Sequence, residues 1–252
     1  MQKEIRAYLD RIGFEGEPSN DYKTLSRLQE CHLLTVPYEN LDIMRSIPLS
    51  LEPRDIYEKI VIRGRGGYCF ELNGLFTWLL RELKFDVTEY MARFLRDETE
   101  IPMRRHRVLR VVCDDGVYLC DVGVGGVIPR LPVKMELGVV NVQGAEQYKL
   151  EKEDFLGTVL YEYKHGEWRK LYSFTAEEQL NIDYVMPSFY CENHPESYFR
   201  TLDMVHIFTE EGRKVVADRE LKIFGKSGVE IIVPESEEKY KELLEEHFGL
   251  KI

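Results

Sequence analysis

No apolar run in this 252-residue chain approaches the roughly 20 residues needed to cross a bilayer, so no membrane-spanning helix is expected. The opening residues, MQKEIRAYLDRIGFEGEP, are charged and amphipathic and lack the apolar centre of a secretion signal. A cytoplasmic location and no membrane partner are the expectation. Surplus positive charge is missing too: 34 Lys and Arg stand against 45 Asp and Glu, a net charge of −11. Nucleic acid as the main partner is therefore not expected, because phosphate backbones are held by clustered Lys and Arg. The five cysteines (Cys31, Cys69, Cys113, Cys120 and Cys191) include no CxxC pair. That spacing offers no zinc framework, and an odd count in a reducing compartment argues against disulfides. No metal is expected. Each cysteine is either a small core residue or a reactive thiol.

What is present is an ordinary globular composition, 44% hydrophobic and 31% charged, in a chain long enough for one large domain or two to three lobes around a shared core. Residues 1–85 read as helical. Ile5, Leu9 and Ile12 share one face, as do Leu25, Leu28 and Leu33, and a third apolar stripe runs from Leu72 to Leu83. VPYENLDI, between these helices, reads as an extended connector. Residues 86–190 change to short β-branched and aromatic segments separated by turns such as Asp115-Gly116 and His165-Gly166, which implies an antiparallel sheet or small barrel. Residues 191–252 mix strands with a closing charged helix. The fold class is α+β: helical bundle, antiparallel β-barrel, then a mixed lid.

The stretch RGRGGYCFELNGLF (63–76) places Cys69 where a glycine-rich loop becomes a helix. No Gly-Lys-Ser/Thr follows, so the loop is not a phosphate loop of the usual kind. A thiol at a helix N-terminus faces unpaired N–H groups and the positive end of the macrodipole, both of which favour the nucleophilic thiolate. The same amides are candidate oxyanion donors. A Gly-rich turn can also be mere punctuation, and then Cys69 is a core residue. Nucleophilic use requires a base and an orienting carboxylate. His106 opens the strand HRVLRVV, whose hairpin partner VYLCDVG carries Asp121. Their spacing puts both side chains on one face. A loop centred on Cys113 and Asp114 sets them directly opposite, whereas a turn at Asp115-Gly116 offsets them by four residues, roughly 13 Å. Both registers stay open, and a bulge near Asp-Asp-Gly would reconcile them. His32 and His247 read as solvated helix residues and His165 as a turn residue. Arg63, Arg65, Arg104 and Arg105 read as solvated surface, with phosphate contact as the alternative.

Four blocks carry a resemblance. RGGYCFELN is similar to the cysteine motif of the arylamine N-acetyltransferases, VPYENLDI (36–43) resembles their N-terminal signature, and HRVLRVVCDDGVYLCDVGVGG (106–126) resembles their histidine-to-aspartate hairpin. LYSFTAEEQLNIDYVMPSFYCENHPESYF (171–199) resembles the block before their last lobe. The resemblance implies a helical bundle, β-barrel and α/β lid with a thiol-protease-like core, and a catalytic triad of Cys69, His106 and Asp121. It implies a ping-pong reaction. Acetyl-CoA acetylates Cys69, CoA leaves, and an arylamine, arylhydrazine or arylhydroxylamine takes the acetyl group, chemistry that belongs to xenobiotic metabolism. Coenzyme A and small aromatic amines or hydrazines are thus the implied partners, with acetyl-CoA a co-substrate and no permanently bound cofactor. An oligomer is compatible with the sequence, and no residue is assigned to CoA.

Tyr38, Val124, Gly125 and Gly126 fall, by the same resemblance, at the acceptor pocket. Here the chain departs from the family pattern. Val124 replaces the aromatic of an Asp-Val-Gly-Phe-Gly-Gly run, which implies a roomier or differently selective cleft, and Tyr38 stands where phenylalanine is frequent. Ser188 replaces the usual Asn, and Glu192-Asn193 replaces a Ser-Thr pair. The same triad would also serve an amide synthase, a thiol hydrolase, or, if inactive, a binding protein for arylamines or CoA.

Overall fold

The computed structural model describes residues 2–126 and 128–252. The chain begins with two amphipathic helices, α1 (Gln2–Arg11) and α2 (Tyr22–Thr35), the second capped by Asp21 accepting from the Thr24 N–H at 2.7 Å. The VPYENLDI connector is extended for only two residues, β1 (Tyr38–Glu39), before a short helix α3 (Leu41–Met44). Then come α4 (Pro53–Tyr57), with a wide-turn extension over Glu58–Ile62, and the central helix α5 (Cys69–Glu82). Helix α5 is apolar almost all round and its first nine residues are all buried, which is the pattern of a helix enclosed by the rest of the fold.

Eight strands follow in the order β5-β4-β3-β2-β9-β8-β7-β6. They are β2 (Asp86–Phe94), β3 (His106–Cys113), β4 (Gly116–Cys120), β5 (Val133–Lys134), β6 (Asn141–Gln143), β7 (Glu146–Glu153), β8 (Gly157–Lys164) and β9 (Glu167–Glu178), all antiparallel. The two edge strands approach each other, the Lys134 N–H donating to Asn141 Oδ1 at 2.8 Å, so the sheet is a nearly closed barrel. Helix α5 packs on its β2–β3 side, and one continuous core joins bundle and barrel. Strand texture had been expected through residue 190. The strands in fact stop at Glu178, and residues 181–193 form a 3-10 turn (Asn181–Tyr184) and helix α6 (Val185–Asn193).

The last layer is a five-stranded sheet ordered β1-β10-β11-β12-β13, built from β10 (Met204–Thr209), β11 (Gly212–Ala217), β12 (Glu220–Gly225) and β13 (Gly228–Ile232). The charged helix read from the sequence is α7 (Glu237–Phe248), which seals a second, smaller core through Tyr240, Leu244 and Phe248. Because β1 comes from the bundle and pairs with β10, this sheet is hydrogen-bonded to the connector that precedes the glycine loop.

Two sequence expectations fail in the bundle. His32 is fully buried, its ring set edge-on to Tyr8 and Phe76 at 5.9 and 5.6 Å. Its position in α2 lies on the inward stripe with Leu25, Leu28 and Leu33, and that position outweighs the polarity of the side chain. Arg65 is not solvated surface either: its guanidinium bridges Glu39 at 2.7 Å and Asp42 at 2.9 Å.

Candidate functional site

The glycine loop is fixed before it reaches Cys69. Gly67 pairs with Tyr38 in parallel register, its carbonyl accepting from the Glu39 N–H at 2.8 Å. Gly66 runs so close to Pro37 that a Cβ would sit 2.2 Å from its carbonyl oxygen, so only glycine fits. Helix α5 then starts at Tyr68, whose N–H is capped by the Glu71 carboxylate at 3.0 Å. Glu71 is buried and paired with Lys59 at 2.8 Å, and Lys59 also reaches Asp42 at 2.8 Å. Cys69 therefore occupies the first helical position, as its sequence context implied, and is 4% exposed.

His106 opens β3, also as expected, and its Nε2 lies 2.6 Å from Asp121 Oδ2. The hairpin adopts neither register considered from the sequence. Leu109 pairs with Cys120 and Cys113 with Gly116, so the turn residues are Asp114 and Asp115. One step further, Asp121 lies across from Val108, two residues from His106 and on its face, a diagonal that the two side chains close. No bulge is needed. Both groups are buried, with the His106 ring 5.9 Å from Phe94 and 5.6 Å from Tyr172. Since Nε2 is engaged by the carboxylate, Nδ1 is the nitrogen left for another partner. The Cys69 sulfur lies 3.7 Å from the carbonyl of Arg105, the residue immediately before His106, so thiol and imidazole flank one backbone unit.

Asn73, inside the quoted cysteine motif but given no role, joins the two halves. Its Nδ2 donates to Asp121 Oδ1 at 2.8 Å and to the Arg107 carbonyl at 2.6 Å, and its Oδ1 accepts from the Val122 N–H at 2.9 Å. Its spacing of four from Cys69 puts it on the same helix face, a signal that was available. Gln29 of α2 is buried as well. It accepts from the Asp121 N–H at 3.3 Å and donates to the carbonyl of Pro129 at 3.1 Å, and nothing in its sequence neighbourhood marks it. Asp121 Oδ1 also accepts from the Gly123 N–H at 2.8 Å.

The sequence-expected acceptor residues run outward from there. A Cβ on Gly123 would lie 3.0 Å from the Cys69 Cα and 2.4 Å from Asn73 Nδ2, so this loop packs directly against Cys69. Val124 is half-buried beside it. Gly125 (φ +50°) turns against the His206 carbonyl and Tyr38, and Gly126 (φ +84°) lies against Arg213, whose guanidinium donates to its carbonyl at 3.1 Å. Tyr38 is buried with its ring 5.5 Å from that of His206, a residue the sequence reading did not select. Arg104 pairs loosely with Glu177 and Arg105 packs over the Phe199 ring. Arg63 lies exposed.

Electrostatics at the thiol oppose the simple helix-dipole argument. Burial pushes the Cys69 thiol well above its ordinary range, and Cys191 and Asp121 add to this. The Phe70 N–H and Arg105 pull the other way but do not prevail. Burial likewise raises the Tyr38 and Tyr68 hydroxyls, so both are neutral donors at physiological pH.

A Cys-His-Asp core shared between a helix N-terminus and a barrel hairpin is the thiol-protease-like arrangement, here on an α+β scaffold of bundle, barrel and lid, and it defines a class of acyl-transferring enzyme. Similarity to known proteins narrows that class. The sequence profile of the N-acetyltransferase family matches residues 21–252. The chain is 34% identical to the arylamine N-acetyltransferase of Mycolicibacterium smegmatis over all of its own length and 94% of that protein's. It superposes on the arylamine N-acetyltransferase structure from M. tuberculosis with a TM-score of 0.89, at 35% identity over 97% of this chain and 92% of that one. A Mycobacterium marinum arylamine N-acetyltransferase solved in complex with CoA gives a TM-score of 0.89 at 32% identity, covering 97% and 92%. The chain belongs to the arylamine N-acetyltransferase family and is an acyltransferase.

Proposed function

We propose that this enzyme transfers acetyl from acetyl-CoA to arylamines and arylhydrazines, and to the oxygen of arylhydroxylamines, by a ping-pong route through acetyl-Cys69. The observation that carries the reading is the His106–Asp121 contact held by Asn73 against the helix that begins at Cys69. Cys69 passes its proton to His106 Nδ1, and Asp121 holds the imidazole and stabilises its charge. The thiolate attacks the thioester carbonyl, with the Cys69 N–H at the open helix end as the candidate oxyanion donor. The tetrahedral adduct collapses, CoA leaves with the proton from His106, and acetyl-Cys69 remains. An aromatic amine is neutral near pH 7, so it attacks acetyl-Cys69 directly and returns a proton through His106 to regenerate the thiol. Tyr38, Val124, Gly125 and Gly126 would border the acceptor, supported by the packing of the 123–126 loop against Cys69 and Tyr38.

The M. marinum complex with CoA supports a CoA thioester as donor. Among the described residues no helix is long and apolar enough to cross a membrane, and the proposed compartment is the cytoplasm. The proposed division of labour is a bundle at 1–85 carrying the nucleophile, a barrel segment at 86–190 carrying base and carboxylate, and a lid at 191–252. Intact-mass analysis after incubation with acetyl-CoA should show one added acetyl group on the wild type and none on Cys69→Ser. An unmodified wild type would overturn the proposal. Release of CoA at the same rate without an arylamine would point instead to a hydrolase.

A further inference from the structure

Three positions at which the sequence departs from the family pattern, Ser188, Glu192 and Asn193, line one cavity of about 950 Å³. It opens between residues 46–53 and helix α6, and Cys69, His106 and Asp121 are not among its walls. Ile47, Leu49, Leu51, Ile182, Val185 and Phe189 are among its apolar walls. The volume and the apolar lining with a few fixed polar groups are those of a small-molecule site. Ile182, Val185 and Phe189 also remain 69%, 46% and 62% exposed, so an occupant would remove apolar surface from water.

The polar groups decide the occupant. Glu192 is half-buried, and both its oxygens accept from neutral donors: Oε1 from the Ser188 hydroxyl at 2.8 Å and Oε2 from the Leu49 N–H at 3.1 Å. Among the described residues it has no ion-pair partner, although each oxygen keeps acceptor capacity. The one cation in the wall, Arg200, is exposed at the rim and donates to the Asn193 carbonyl at 2.9 Å. The Ser188 hydroxyl in turn accepts from Tyr68 at 3.1 Å, which connects the cavity by two hydrogen bonds to the residue before Cys69.

We propose that this cavity is a second binding site, distinct from the acetyl-transfer centre, for small hydrophobic amines in their protonated form, with the ammonium on Glu192 and the apolar body against α6 and the 46–53 loop. A protonated amine has no lone pair to attack a thioester, so the occupant is a ligand rather than the acyl acceptor.

Calorimetric titration with phenylbutylamine, phenylbutanol and phenylbutyrate at pH 7 tests this on the Cys69→Ser protein, which carries no thiol at the transfer centre. The amine, protonated at that pH, should bind about tenfold tighter than the alcohol, and the acid weakest. Glu192→Gln keeps an acceptor for Ser188 or Leu49 and should bring the amine down to the alcohol's affinity without changing the alcohol. Phe189→Ala, at an exposed position, should weaken all three alike. Equal affinities, preference for phenylbutyrate, an unchanged amine preference in Glu192→Gln, or no binding to the Cys69→Ser protein would each overturn the proposal. The readout does not use acetyl transfer, so failure of the transfer mechanism would leave it standing.

Discussion

At Cys69 two effects oppose each other. The helix start offers N–H groups to a thiolate, but burial disfavours the charge and is the larger effect. A lone thiol at this position would stay protonated near neutral pH. Its nucleophilic form therefore depends on a proton acceptor in the same enclosure, and His106, with Nε2 already on Asp121, is the group placed to be it. Iodoacetamide should accordingly label Cys69 ahead of Cys113 and Cys191, whose thiols burial pushes up to about 11, and ahead of Cys31 and Cys120. In His106→Gln the labelling of Cys69 should slow by about 100-fold, the ordinary contribution of a positioned base. Peptide mapping of the alkylated protein reads both results. Uniform labelling of all five cysteines would contradict the argument.

Two elements carry buried ionisable groups whose consequences are measurable. In α2, burial between Tyr8 and Phe76, with Arg11 nearby, lowers His32 to about 3, and in β10 burial lowers His206 to about 4. A depressed histidine is neutral in the folded state while its unfolded counterpart gains a proton below about 6.5. Its stabilising contribution is thus complete above pH 6.5 and is lost as pH falls toward 4 and 3, by up to about 1.4 kcal/mol per pH unit for each group. His32→Leu should remove one of these two protons from the slope of unfolding free energy between pH 6.5 and 4. It should not destabilise the protein at pH 8, because neither ring nitrogen has a hydrogen-bond partner to lose. Urea melts across this range would show it.

The junction between α4 and α5 rests on Lys59, which serves Asp42 and Glu71 together. Lys59→Met strips the buried Glu71 of its cation, while Asp42 keeps Arg65, and should cost about 3–5 kcal/mol, seen as a large fall in the denaturant midpoint. Glu71 is already raised above the usual carboxylate range by burial despite Lys59, so the loss falls on a group with little reserve.

Across the whole molecule, the site depends on long-range ties between layers. Asn40, at the end of the connector, donates to the carbonyls of Phe199 and Leu202 at 2.9 and 3.0 Å and accepts from the Met204 N–H at 2.7 Å. It fastens the start of the five-stranded sheet to the segment that shapes the glycine loop. Asn40→Ala should raise amide exchange in β10 by about tenfold or more, with little change in β7 and β8, since three backbone partners lose a bond in one layer only. Exchange rising equally in all strands would mean the layers open as one unit.

The order of the layers was legible in the sequence because each leaves a local period: helical stripes at residues 1–85, alternating strands after 86, the charged amphipathic helix at the end. The helix start at Cys69 and the shared hairpin face of His106 and Asp121 were legible as well, since a glycine loop before a helix and same-face spacing are local patterns, while their joint role as a triad came from the family resemblance. Only the tertiary structure chose the hairpin register, because Asp114 and Asp115 close the turn that the Asp115-Gly116 signal competed for. It alone buried His32 and paired Arg65, whose fates depend on Tyr8, Phe76, Glu39 and Asp42 arriving from other parts of the chain. It also reversed the expected balance at Cys69: a sequence shows where a helix begins but not how much water is excluded around its first residue. Local periods are written in neighbouring residues, whereas burial and the partners of a charge are set by segments distant in the sequence.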